Sequence, residues 1–186
     1  MKVLVVVDMQ NDFTNGVLGN AECEAAVGKV VEVIEKGQYD KIFLTRDTHE
    51  ENYLSTQEGK KLPVEHCIKN TTGWEVRDEI LAVIKEKYNE DDVTFVDKPS
   101  FGSLELGGKM KQLADKIVSD GNSLSNLEID FCGVCTGICV ISNVAIMKAT
   151  LPEVKISVIE EACACVTIES HETAINAMKT FQVDVI

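Results

Sequence analysis

The run Lys2-Val3-Leu4-Val5-Val6-Val7-Asp8 has no polar residue between its opening lysine and its closing aspartate. A strand with one wet face alternates apolar and polar residues. An unbroken, β-branched run belongs to a strand covered on both faces, as in parallel sheets sandwiched between helices. The rest of the chain reads in the same way. Glu24 to Lys36 sets Ala26, Val27, Val30, Val31 and Ile34 on one helical stripe. Lys41 to Thr45 is a second strand, Glu75 to Tyr88 a helix with Val76, Ile80, Leu81 and Ile84 on one side, and Val93 to Val96 a third strand. Met110 to Val118 is helical and is followed by a Gly-Asn-Ser-rich turn at Gly121 to Ser125. Leu127 to Cys132 is a strand, Thr136 to Lys148 an apolar helix, Val154 to Ile159 a strand, His171 to Thr180 a helix and Val183 to Ile186 a terminal strand. Strands alternating with helices predict βαβ units. The expectation is an α/β fold: a doubly wound, six-stranded parallel sheet with helices on both faces. No repeat, low-complexity tract or linker divides it, so residues 1–186 are expected to form a single domain. Thr48 to Thr72 is the exception, a long polar segment with little periodicity, and such segments in compact domains are usually functional.

The 186 residues are enough to bury a core without disulfides. A net charge of −13 argues against nucleic acid or an anionic membrane surface as principal partner. No apolar run approaches the roughly 20 residues that span a bilayer. Val3 to Val7, cut short by Asp8, is too brief for a signal-peptide core. A cytoplasmic location is expected, and with it reduced thiols: the seven cysteines, Cys23, Cys67, Cys132, Cys135, Cys139, Cys163 and Cys165, are odd in number and show no framework spacing.

Ligands of open α/β sheets bind beyond the carboxyl ends of the strands. Asp8 follows the first predicted strand, Asp47 and His49 the second, Lys98 the third, and Gly133 to Cys139 the fourth. Five titratable or nucleophilic side chains thus fall on one rim. Cys139 lies in the first turn of a helix expected to begin near Thr136, where unpaired N–H groups and the helix dipole favour a thiolate. A carboxylate such as Asp8 beside it can take the thiol proton and later return it to a leaving amine. Lys98 between them can stabilise both anions.

A second constellation is Asp47-Thr48-His49 with His66 farther along the polar segment. An Asp-x-His pair and a second histidine supply three ligands to a divalent metal. Glu50, Glu51, Glu58 and Glu65 either add a ligand or solvate the loop. His171, following Ser170 at the expected start of the last helix, reads as a capping or surface residue. Two further readings stay open at this point. In one, a metal-bound water is the nucleophile and Cys139 a bystander. In the other, the chain is a non-catalytic binding or thiol redox-sensing protein that uses Cys132, Cys135 and Cys139.

These residues carry a resemblance. Val5-Val6-Val7-Asp8-Met9-Gln10-Asn11-Asp12-Phe13, Asp97-Lys98-Pro99-Ser100-Phe101 and Gly133-Val134-Cys135-Thr136-Gly137-Ile138-Cys139-Val140 are similar to three motifs of the isochorismatase-like cysteine hydrolases, over nearly the whole chain. The resemblance implies a catalytic triad of Asp8, Lys98 and Cys139. It also implies a cis peptide at Val134–Cys135, and an oxyanion hole made by the backbone N–H groups of Cys135 and Cys139. Arg46-Asp47-Thr48-His49 and Leu62-Pro63-Val64-Glu65-His66-Cys67 resemble the metal-binding segments of the nicotinamidase branch. That similarity implies a divalent metal, zinc first, on Asp47, His49 and His66, and no organic cofactor. The implied substrate is a small amide, nicotinamide first, cleaved through a cysteine thioester in a pocket that includes Phe13, Leu62 and Ile138. Self-association as a homo-oligomer is implied as well. Two positions depart from that branch: Leu62 stands where an aromatic residue is common, and Gly137 and Ile138 where an acidic residue and a tyrosine are common. A different small amide therefore stays open.

Overall fold

The computed structural model describes residues 1–186. In chain order its elements are β1 (Lys2–Val7), α1 (Asn11–Thr14), α2 (Ala21–Lys36), β2 (Lys41–Asp47), α3 (Asp78–Lys87) and β3 (Val93–Lys98). The second half contributes α4 (Leu104–Ser119), β4 (Glu128–Val134), a π turn (Thr136–Val140), α5 (Ile141–Thr150), β5 (Lys155–Ala164), α6 (Ile168–Thr180) and β6 (Asp184–Val185). The six strands form one sheet in the order β3-β2-β1-β4-β5-β6, and every pairing is parallel. No helix is long and apolar enough to cross a membrane.

Successive connections from β1 run outward to β2 and β3, then jump back across the sheet to β4 and outward to β5 and β6. Right-handed crossovers place α2 and α3 on one face and α4, α5 and α6 on the other. The contacts agree, since α2 packs on α3, while α4 and α6 both pack on α5. The sheet is thus doubly wound, with its switch point between β1 and β4. The carboxyl ends of these two strands diverge into opposite layers there and leave a crevice. Asp8 and the π turn sit at its mouth. β1 is as apolar as its sequence reads: Val3 to Val7 are all at most 1% exposed.

Several boundaries moved, each for a local reason. The helix expected from Glu75 starts only at Asp78, because Val76 bridges antiparallel to Gln10 and the Arg77 N–H donates to the Met9 carbonyl. α4 begins six residues before Met110, at Leu104, capped by Ser103, whose hydroxyl accepts from Leu106 N. Gly107 and Gly108 mask that first turn in the sequence. β5 continues to Ala164 through the exposed pair Glu160 and Glu161, which interrupt its apolar pattern. α6 begins at Ile168 with Thr167 as its cap, so His171 is not a capping residue. Its ring nitrogen instead hydrogen-bonds Thr136 Oγ1 in the π turn at 2.8 Å.

Gly133 is fixed by the close approach of β4 to β1. Its φ is +116°, and a Cβ there would lie 2.1 Å from the Val7 carbonyl oxygen. Gly133→Ala is expected to lower stability by about 2–4 kcal/mol through strain and overpacking, read as a fall in the urea midpoint with an unchanged m-value.

Candidate active site

Three strand ends supply the centre. Lys98, the last residue of β3, is fully buried. Its ammonium lies 2.7 Å from Asp8 Oδ2 and 3.3 Å from Asp47 Oδ1, donates to the Ser100 carbonyl at 3.0 Å and reaches Cys139 Sγ at 3.6 Å. Asp8 is held in a left-handed conformation, φ 49°, just past the end of β1. Such a backbone is uncommon outside glycine and marks positions where surrounding structure dictates geometry. Thr45 donates to Asp8 Oδ1 at 2.6 Å, while its own hydroxyl accepts from the Asp8 N–H at 3.2 Å. The Lys98 ammonium thus joins the Cys139 thiol to the Asp8 carboxylate.

Cys139 sits in a widened turn rather than in the regular helix expected from Thr136. The Ile138 and Val140 N–H groups both donate to the Cys135 carbonyl, at 3.0 and 3.1 Å, and the α-helical ladder starts only at Ile141. The Val134–Cys135 peptide is cis, and the Cys135 N–H makes no backbone hydrogen bond. Asn143, fully buried, holds this turn in place. Its amide donates to the carbonyls of Cys139 (2.8 Å) and Phe101 (3.2 Å) and accepts from Ser103 N (3.0 Å), which ties the turn to the loop after Lys98.

The electrostatics oppose the thiolate that the helix dipole favours. Burial, followed by the charge of Asp8, pushes the Cys139 thiol well above its usual range despite Lys98. Burial also raises the Asp8 carboxyl against the pull of Lys98. Lys98 resists its own burial because the carboxylates of Asp8 and Asp47 hold it protonated. The resting centre is a thiol next to a base of raised affinity for protons, which is the pairing general-base catalysis needs.

Next to it, sharing Asp47, is a cluster of Asp47, His49, Glu58 and His66 whose ligand atoms all lie within 4.8 Å of one another. Of the four glutamates in the polar segment, the structure selects Glu58. The His66 Nδ1 must donate to the Val64 carbonyl at 2.8 Å, which leaves the Nε2 lone pair for the cluster. His49 Nε2 is buried without a hydrogen-bond partner, although 2.8 Å from Asp47 Oδ2. Burial opposes a charge on Asp47, but the two imidazoles and Lys98 hold its carboxyl below the usual range. Two imidazole nitrogens and two carboxylates with an orphaned, inward-facing nitrogen fit a divalent cation of the zinc class. Tyr53, fully buried, packs at a steep angle against both histidines, with ring centroids 4.6 Å from His49 and 4.9 Å from His66.

The remaining expected residues are dispersed around this centre. Phe13 is half-buried with its ring 5.5 Å from that of His66. Leu62 is 38% exposed and contributes a carbonyl that accepts from Tyr53 OH at 3.0 Å. Ile138, also 38% exposed, lines a surface groove with Val166 and Thr173. Cys132 is buried within β4, and burial raises its thiol. Sequence reasoning missed Gln10, Asn11 and Asp12 as anchors. Gln10 donates to the carbonyls of Asp47 (2.9 Å) and Trp74 (2.8 Å) and accepts from Asp47 N (2.7 Å). Asn11 donates to the Thr72 carbonyl at 2.8 Å, and Asp12 accepts from Cys67 N at 2.7 Å. Their consecutive polarity directly after a buried strand was the available signal.

Comparison with known proteins gives a consistent picture. The model of the isochorismatase domain matches residues 2–186. The nicotinamidase of Saccharomyces cerevisiae is 31% identical over 127 residues, a stretch covering 53% of this chain and 56% of the yeast protein. The match thus spans little more than half the length of that relative. Among solved structures, the pyrazinamidase of Pyrococcus horikoshii in complex with zinc is 26% identical, with a TM-score of 0.74 over 100% of this chain and 98% of that one. The pyrazinamidase/nicotinamidase of Streptococcus mutans is 23% identical, with a TM-score of 0.78 over the whole of both chains. At that identity the likeness is one of fold.

Lys98 counters two buried carboxylates, so removing its charge leaves both uncompensated. Lys98→Met is expected to cost about 3–5 kcal/mol of stability, checked by guanidinium unfolding. A loss below about 1 kcal/mol would show that the carboxylates are not charged together.

Proposed function

The chain belongs to the isochorismatase family, and from that premise we propose that it is a cysteine hydrolase that cleaves the C–N bond of a small amide, nicotinamide first. The observation that supports this reading most is Lys98, whose one buried ammonium touches Asp8, Cys139 and Asp47 at once. A nucleophile, its base and the metal-type cluster are thereby held in a single arrangement.

In this reading Asp8 takes the Cys139 proton as the sulfur attacks the amide carbonyl, so the thiolate need exist only in the reaction. Lys98 stabilises the charge while it passes between sulfur and carboxylate. The oxyanion is received by the backbone N–H groups of Cys135 and Cys139, fixed in advance by the Asn143 contacts. Asp8 then gives the proton to departing ammonia. It next takes one from the water that opens the thioester, releasing the carboxylic acid. Asp47, His49 and His66, with Glu58 as a fourth ligand, would hold a divalent ion, zinc first. The ion supplies a Lewis-acid anchor for a lone pair of the substrate, such as a ring nitrogen. The zinc complex of the Pyrococcus horikoshii pyrazinamidase supports that choice. Phe13 forms one wall of the substrate site, and the pocket is completed by Leu62 and Ile138. Cytoplasmic residence, supported by seven unpaired thiols, self-association of the chain and its action as a single domain complete the proposal.

Purified protein supplied with zinc is expected to release ammonia from nicotinamide, and Cys139→Ala to lower kcat by about 10⁴-fold. Absence of turnover by the wild type would remove nicotinamide as substrate. Full activity in Cys139→Ala would remove the thioester route.

His66→Ala is expected to weaken zinc binding at least 10- to 100-fold, measured by calorimetry on the unreacted protein. Unchanged affinity would place the ion elsewhere.

A further inference from the structure

Behind the nucleophile turn lies a group of thiols that the hydrolytic reading leaves unused. Val134 and Ala164 are register partners on β4 and β5, neighbouring strands about 4.8 Å apart. Cys135 and Cys165 are the next residues of each. That register sets the two residues side by side across the strand ends, with Cys23 in the first turn of α2 next to them. Cys23 is tied in turn to Asn20, whose amide donates to its sulfur at 3.3 Å, and to the Cys165 carbonyl at 3.8 Å. Sulfurs from three separate elements therefore meet beneath the turn that carries Cys139.

Cys165 is 3% exposed, yet it helps to line two grooves open to solvent. One, of about 660 Å³, runs between α2 and α6 past Lys29, Glu160 and His171. The other follows the π turn and α6 past Gly137 and Thr173. Both grooves bring solvent up to this residue. Cys139, 6% exposed, lies beside Lys98 at the other end of the turn.

We propose that Cys135 and Cys165 form a reversible disulfide on exposure to a hydroperoxide, and that this bond switches the hydrolase off by displacing the turn that carries Cys139. The switch rests on the hydrolase reading; the bond does not.

The Cys165 thiol is pulled down to about 5 by the hydrogen bond from Cys135 and, against burial, by the Ser170 hydroxyl and the Gly137 and Val166 N–H groups. The Cys135 contact also lowers the fully buried Cys23 thiol, whereas burial keeps Cys139 protonated. In the first step the Cys165 thiolate attacks one peroxide oxygen. An S–O bond forms, the O–O bond breaks, and hydroxide leaves, giving a sulfenic acid. In the second step the Cys135 sulfur attacks the sulfenic sulfur. An S–S bond forms, the S–O bond breaks, and the departing hydroxide and the Cys135 proton leave as water. Overall the two thiols lose two electrons, which reduce one peroxide to two waters. The product replaces a hydrogen-bonded sulfur contact by a bond of about 2.05 Å and draws Cys135 toward β5. The Cys135 carbonyl receives the Ile138 and Val140 N–H groups on either side of Cys139, so the displacement is passed to the nucleophile.

The test is to treat the zinc-loaded full chain with stoichiometric hydrogen peroxide, block free thiols, and map peptides by mass spectrometry before and after dithiothreitol. A Cys135–Cys165 cross-linked peptide is expected, together with an at least tenfold fall in amide turnover, both reversed by the reductant. Cys165→Ser is expected to keep its untreated turnover within about twofold and to lose no more than twofold under peroxide. If that variant fails to fold, Cys165→Ala is read in the same way. A map without the cross-link overturns the proposal, as does a cross-linked protein of undiminished activity or a Cys165 variant inactivated as fast as the wild type. The map needs no substrate. Failure to hydrolyse any amide would therefore sink the hydrolase reading, and the switch with it, while the disulfide would still be decided by the map.

Discussion

A single buried ammonium organises this molecule's working end. Placing a lysine among apolar strands costs several kcal/mol unless opposite charges accompany it, and one carboxylate rarely suffices. Here Asp8 comes from β1 and Asp47 from β2, with Lys98 at the end of β3. The ion pairs thus require three neighbouring strands to end in one register, which the ladder supplies by pairing Asp47 directly with Lys98. The thiol of Cys139 completes the lysine's surroundings from the other side of the switch point. The same contacts that satisfy the charge also set the distances between the groups proposed to react.

The arrangement of strands was legible because β1 is an unbroken apolar run, the other strands are short apolar-rich segments between helical stripes, and β1, β2 and β3 give way to polar residues at the site. Asp8, Asp47 and Lys98 were readable by that signal. The turn carrying Cys139 was readable as a position but not as a state. Dipole arguments favour a charged sulfur, whereas burial beside Asp8 dominates and keeps the proton in place. Glu58 could not be told apart from Glu50, Glu51 and Glu65, since its selection depends on how the folded loop brings it within reach of the two histidines. The meeting of Cys135 with Cys165 was hidden for another reason. Glu160 and Glu161 end the apolar pattern of β5 early, and the strand reaches Cys165 only after a shift of register against β4 between Phe131 and Gly133.

Support for the centre comes from polar side chains that carry out none of the proposed chemistry themselves. Asn143 makes three hydrogen bonds that join the nucleophile turn to the loop after Lys98, and Thr45 fixes both the backbone and the carboxylate of Asp8. Fully satisfied buried networks of this kind hold geometry because each member left unpaired would cost more than the bond contributes.

Residues 10–12 carry a further implication. Gln10, Asn11 and Asp12 grip the long excursion between β2 and α3 at its two ends and at Cys67. Trp74 adds a bond to Thr48 and lies under Arg46. Between Tyr53 and His66, however, the chain is gripped only by its own short-range bonds and exposes most of its surface. Because the entropy of closing a loop grows slowly with its length, that stretch can lengthen, shorten or diverge over evolutionary time on either side of Glu58, its one member of the ligand cluster. The clip at residues 10–12 would preserve the ligand frame through such changes. Descendants of this chain could acquire new substrate preferences by rewriting one surface arc, leaving the sheet, the lysine and the nucleophile as inherited.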